Sequence, residues 1–180
     1  MKTTATGVIA LITLATACSP GIRAGADFAP DVDFGSFATF TWDEPDTRPV
    51  GDPRLENNPF FEARLHDAME RELNARGLRV GDAGAALTVH HHATVRDHVE
   101  VYEADREAGY TTSDYGEGTR VLQYDQGTLM VDIANAETRE VIWRGWAQFD
   151  ITAALNDPEL MSERIDEAVA RIFEYFPHSP

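Results

Sequence analysis

Two stretches of the chain repeat apolar residues at every third and fourth position, and the segments between them alternate with a period of two. Phe61, Leu65, Ala68, Met69 and Leu73 make one apolar stripe, the spacing of a helix that buries one face. Asn58 precedes the stripe as an N-cap, and Pro59 fits the first helical position, where its missing N–H costs nothing. Gly77 supplies the left-handed residue that ends the helix. The second stripe uses the same grammar. Asp157 caps, Pro158 follows, and Met161, Ile165, Ala168, Val169, Ile172, Phe173 and Phe176 run to a stop at Pro177.

Between the helices, Leu87, Val89, His91, Ala93 and Val95 share one face of a strand, and Thr88, His90, His92, Thr94 and Arg96 share the other. Residues 128–134 and 140–149 pair as a hairpin across 135–139, with Leu129, Val131, Ile133, Val141, Trp143, Ala147 and Phe149 on its core face. Upstream, residues 37–42 are rich in strand formers and follow a turn at 33–36. Residues 43–58 carry Pro45, Pro49 and Pro53 and read as an irregular loop, and 104–118 as a mobile one. This order predicts an α+β domain, a two-layer sandwich with a mainly antiparallel sheet of about four strands and both helices on one face. No internal repeat is visible, and one domain over 27–177 is expected, with 178–180 as a tail.

The N-terminus changes the picture from fold to location. Lys2 gives the first residues a single positive charge, residues 7–15 form an apolar core, and Leu14-Ala15-Thr16-Ala17-Cys18-Ser19 follows. This resembles the signal peptide and lipobox of a bacterial lipoprotein, which implies cleavage after residue 17 and a diacylglycerol thioether plus an N-acyl chain on Cys18. The apolar stretch is shorter than the roughly 20 residues that span a bilayer. Residues 18–26 are then expected to be a lipidated tether. Ser19, rather than Asp, after the cysteine points to the periplasmic face of the outer membrane.

Charge and composition then exclude chemistry. The chain has 15 basic and 31 acidic residues, a net charge of −16, and loss of Lys2, its single lysine, leaves the mature protein more negative still. Such a surface repels phosphates, so no nucleic-acid partner is expected. An acylated Cys18 leaves no thiol nucleophile and no disulfide, and a mature chain without lysine has no Schiff-base chemistry. None of Ser19, Ser36, Ser113, Ser162 and Ser179 lies in a G-x-S-x-G elbow, and no phosphate-binding glycine loop or H-E-x-x-H pair occurs. The expectation is a protein that is not an enzyme and has no cofactor beyond its covalent lipid.

The segments placed above resemble a family of bacterial envelope lipoproteins, domain of unknown function 4136. The resemblance is carried by Asp33-Phe34-Gly35-Ser36-Phe37-Ala38-Thr39-Phe40-Thr41-Trp42 and by Ala85-Ala86-Leu87-Thr88-Val89-His90-His91-His92-Ala93. Further matches are Gly127-Thr128-Leu129-Met130-Val131-Asp132-Ile133, Val141-Ile142-Trp143-Arg144-Gly145-Trp146-Ala147 and Arg164-Ile165-Asp166-Glu167-Ala168-Val169. It implies the α+β fold and the envelope location. The family brings no catalytic residue with it.

Two constellations remain as candidate sites. Trp146 falls opposite the core face together with Ile142 and Arg144, and Met130 projects from the same face of the paired strand. An aromatic, a methionine and an arginine on a sheet face away from the helices suit a partner-binding patch, for another envelope protein or an apolar ligand. The competing reading places Trp146 beneath the 43–58 loop as a second small core. The rival chemistry is metal binding by His90 and His92, joined by His98 and Glu100 if the strand continues. A zinc site needs three or four ligands converging near 2.0–2.2 Å, and this spacing matches no metal motif, so solvated histidines are the expectation, with His91 satisfied near the core.

Overall fold

The computed structural model describes residues 21–44, 47–82, 84–103 and 119–177. The leader, Cys18, the loop at 104–118 and the tail at 178–180 lie outside them. The described elements are β1 (Arg23–Phe28), β2 (Thr39–Trp42), α1 (Pro59–Ala75), β3 (Arg79–Val80), β4 (Leu87–Glu103), β5 (Thr119–Asn135), β6 (Val141–Asp150) and α2 (Pro158–Phe173). Short 3-10 turns at Phe34–Ser36 and Ala154–Asn156 complete them.

Both helices start as their sequences dictate. The Asn58 side chain accepts from the N–H groups of Phe60 (3.0 Å) and Phe61 (3.3 Å), and Asp157 accepts from Glu159 (3.0 Å) and Leu160 (3.1 Å). These contacts satisfy backbone donors that the first helical turn leaves open. Gly77, with φ of 85°, closes α1 in the left-handed conformation. The helices lie side by side, with Arg71 bonded to Asp166 (2.5 Å) and Arg76 donating to the Phe173 carbonyl (2.6 Å). Their apolar stripes cover one face of the sheet. Leu65, Met69, Leu73, Val169, Ile172 and Phe173 are buried against Phe40, Leu87, Val89, Val131, Ile133 and Trp143.

The class is the expected α+β, but the sheet has six strands in the order β1-β6-β5-β4-β2-β3. It is mixed, because β2 runs parallel to both β3 and β4. Three differences from the sequence reading have physical causes. Residues 23–26, expected to be tether, form most of β1, an edge strand antiparallel to β6. They carry no strand-forming side chains because β1 needs small ones: Ala24 and Ala26 pack against the core opposite Ala147 and Gly145. β3 has two residues and no pattern to read. The third difference is the length of β4 and β5, 17 residues each.

β6 ends where Asp150 pairs with Gln126. β4 and β5 continue past it as a two-stranded arm from Asp97↔Asp125 to Glu103↔Thr119, about 20 Å at 3.3–3.4 Å per residue. The arm has no core face to mark it in sequence; Val99 and Leu122 are half exposed on it. At its root, Asp97 and Asp125 face each other directly. Burial, then the Asp97 carboxyl, raises the Asp125 pKa above its ordinary value, against the pull of Arg54. A raised carboxyl value in the folded state means that this pair opposes folding when both groups are ionised, and the penalty fades as pH falls through that value. Asp125→Asn is therefore expected to tighten the arm by about 0.2–1 kcal/mol at neutral pH. Amide exchange in the arm should slow roughly 1.5- to 5-fold, and the gain over wild type should shrink on acidification.

Residues 47–58 of the proline-containing loop are tied down. Asp52, buried, accepts from Arg54 Nε (2.9 Å) and Nη2 (2.6 Å), which hold its carboxyl below its ordinary value. The Val50 carbonyl accepts from Val95 N–H (2.7 Å) and Leu55 joins the core. Residues 50–55 thus lie along β4 and the helix side rather than over Trp146.

Candidate functional site

The face of the sheet away from the helices carries two rows of residues that cross several strands. One row is Asp27, Arg144, Asp132 and His90; the next is Gly25, Trp146, Met130 and His92. In the first row Arg144 grips Asp132 as a fork, Nε to Oδ1 at 2.6 Å and Nη2 to Oδ2 at 2.7 Å. This pair fixes both side chains, so Arg144 contributes a neutralised, planar group rather than a mobile cation. His90 Nδ1 lies 3.6 Å from Asp43 Oδ2. In the second row Trp146 is 37% exposed, although its indole lies across Gly25, where an added Cβ would sit 3.1 Å from the ring. Glycine in the edge strand gives the ring its bed.

Three of the four patch residues read from the sequence stand together: Met130, Arg144 and Trp146. Ile142 does not join them. A register shift between Ile133 and Ala134 pairs Ala134 with Val141 and Ile133 with Trp143, leaving Ile142 as the extra residue of a β-bulge. The bulge exchanges the two expected positions: Ile142 is buried with the core and Val141 is half exposed.

The metal reading on His90, His92, His98 and Glu100 does not assemble. β4 stays regular to Glu103, so His90 and Glu100 are separated by about 33 Å along the strand. His98 sits on the arm with its ring 4.9 Å from that of Tyr124.

A different cluster forms on the helix side. Glu62 and His66, one turn apart on α1, meet His91 of β4, and one ligating atom from each lies within 4.8 Å of the others. His91 Nε2 is 2.8 Å from Glu62 Oε2. His66 stacks on Trp42 at 4.1 Å with 5° between the rings, and meets His91 edge-on at 5.1 Å. Burial, and next the neighbouring His91, lower the His66 pKa and favour its neutral form. The surrounding pocket is also lined by Asp43, Glu44, Val89 and His90. The sequence reading placed His91 correctly near the core and missed its partners. Their signal was the Glu62/His66 spacing of four, which sets both on one side of a helix.

Fold and site together define a two-layer α+β domain with one helix-covered sheet face, one open face and a projecting hairpin. The chain belongs to the family described as Domain of unknown function (DUF4136), whose model matches residues 25–178. Among solved structures, a PDZ domain protein from Parabacteroides distasonis is similar at 16% identity with a TM-score of 0.52. The match covers 89% of this chain and 36% of that one, so this chain spans about a third of its length. A DUF4136 family protein from Bacteroides thetaiotaomicron is similar at 13% identity and a TM-score of 0.48, over 83% of this chain and 94% of that one. No curated protein matches the chain.

Proposed function

We propose that this chain is a lipid-anchored domain of the bacterial cell envelope, facing the periplasm from the outer membrane, that binds another envelope protein and performs no catalysis. The observation that carries the reading is the Trp146–Met130–His92 row. It sets a large aromatic, partly exposed and bedded on glycine, beside a fixed Arg144–Asp132 pair on a face that neither helix covers. A partly exposed tryptophan ringed by polar groups is a typical binding anchor. The chain's net charge of −16 selects the partner's character, an apolar patch bordered by basic residues.

The anchor sets orientation. Four residues lie between Cys18 and Arg23, so the five backbone steps reach at most about 17–18 Å. Arg23 begins β1 in the row of Gln148, Thr128 and Thr94, at the end of the sheet from which the arm continues. A lipid on Cys18 would hold that end, arm first, near the bilayer and confine the open sheet face to a thin layer above it. Confinement raises the effective concentration of membrane-bound partners without any new contact.

A photo-crosslinking residue placed at Trp146 in intact envelopes, beside one at exposed Arg171 on α2, tests the surface. The expected result is one dominant adduct from position 146 that weakens with added salt, and none from 171. In a separate pull-down, Trp146→Ala should abolish recovery of that partner while leaving the melting temperature within a few degrees. Equal adducts from both positions, or capture unchanged in Trp146→Ala, would falsify the assignment of the binding face.

A further inference from the structure

We propose that Glu62, His66 and His91 bind one divalent transition-metal ion, zinc by ligand class, between α1 and β4. Two imidazoles and a carboxylate form a donor set that zinc accepts, and three protein ligands with an open fourth position are a recognised arrangement for it. Tetrahedral bonds of 2.0–2.1 Å place ligand atoms about 3.3–3.4 Å apart. The His91–Glu62 pair, at 2.8 Å, is already inside that span, and all three ligating atoms lie within 4.8 Å. Within the His91–Glu62 pair, Glu62 is the more exposed partner, at 42%, and is the side chain with room to adjust to an ion. The ion would take the place of the proton between His91 Nε2 and Glu62 Oε2.

The supports are built in. His91 is fixed by β4 and its side chain is only 11% exposed. The stacked Trp42 ring sets the plane of His66. Asp43 and Glu44 line the same pocket and bias it toward cations. A hydrogen-bonded aromatic cluster that merely fastens α1 to the sheet would need neither the convergence of all three ligating atoms nor an opening. This site shares no residue with the Trp146 row, so it stands or falls independently of the proposed function.

The test uses the full lipoprotein, untagged, in detergent, stripped with chelator and titrated with zinc by calorimetry. One zinc per chain is expected, with Glu62→Gln and His66→Gln each weakening binding by about tenfold or more and His98→Ala, out on the arm, leaving it unchanged. Cobalt in place of zinc should give the visible bands of a tetrahedral site and quench Trp42 fluorescence, and Trp42→Phe should remove that quenching. Glu62→Gln, at a half-exposed position, keeps the fold, verified by an unchanged far-ultraviolet spectrum. The proposal is overturned by absence of zinc binding in the wild type. It is equally overturned by undiminished binding in the Glu62 and His66 variants, or by loss in the His98 variant instead.

Discussion

Gly145→Ala should destabilise the domain by about 1–3 kcal/mol, and Gly145→Val should prevent folding. Gly145 lies on the core face of β6 between Trp143 and Ala147. A Cβ there would overlap Cη2 of Trp143 and stand 2.5 Å from Cγ2 of Ile172 and 2.8 Å from Cζ2 of Trp143. Neither neighbour can yield. Trp143 is fully buried, stacked on Phe173 at 5.3 Å and edge-on to Phe176 at 5.3 Å, and Ile172 is locked in α2. Overpacking a site of this density moves a helix rather than a rotamer. For a domain of this size each kcal/mol shifts the melting temperature by about 2–4 °C, so thermal unfolding of Gly145→Ala should read roughly 2–12 °C below wild type. An unchanged melting temperature would mean that the ring and α2 are free to move apart. Gly25→Ala is the contrast: its Cβ would meet Trp146, whose exposed ring can tilt outward, and the cost should be small.

Those two glycines mark the boundary of what the sequence makes legible. The helices were readable to the residue at their N-termini because Asn58-Pro59 and Asp157-Pro158 are local signals whose meaning needs no tertiary context. The face assignments of β4 and β5 were readable because burial on one side imposes a period of two. β1 was not, since Ala24, Gly25 and Ala26 are chosen for what lies against them and offer neither β-branching nor alternation. The arm was hidden for the complementary reason. Beyond Asp97 no described helix covers the ladder, and Val99 and Leu122 are half exposed there, so burial sets no alternation to read. The bulge at Ile142 inverted two assignments at once, because one inserted residue flips every side chain beyond it.

The candidate sites divide along the same line. The Trp146 row depends on the pairing of neighbouring strands, and strand periodicity alone carried it within one residue of the observed grouping. The Glu62–His66–His91 cluster depends on α1 docking over one stretch of β4, across 29 residues of chain. Of the triple histidine, alternation sends His90 and His92 outward and only His91 toward α1.

Cys18→Ser should strip the protein from membranes altogether. Each buried methylene contributes about 0.8 kcal/mol, so three acyl chains give anchoring far beyond that of a single chain. No described helix is long and apolar enough to cross a membrane, and the net charge of −16 repels anionic head groups. Intact mass of the wild type should correspond to a chain beginning at Cys18 with a diacylglycerol and an N-acyl group. The Ser variant should lack that mass and leave the carbonate-washed membrane fraction. An unmodified Cys18 in wild-type protein would end the lipoprotein reading. The variant also separates anchor from surface. With Trp146 intact but the lipid gone, recovery of the partner in the pull-down should fall because the partner's effective concentration falls, and return when the soluble domain is supplied in excess. Trp146→Ala should instead stay on the membrane and show no recovery at any concentration reached.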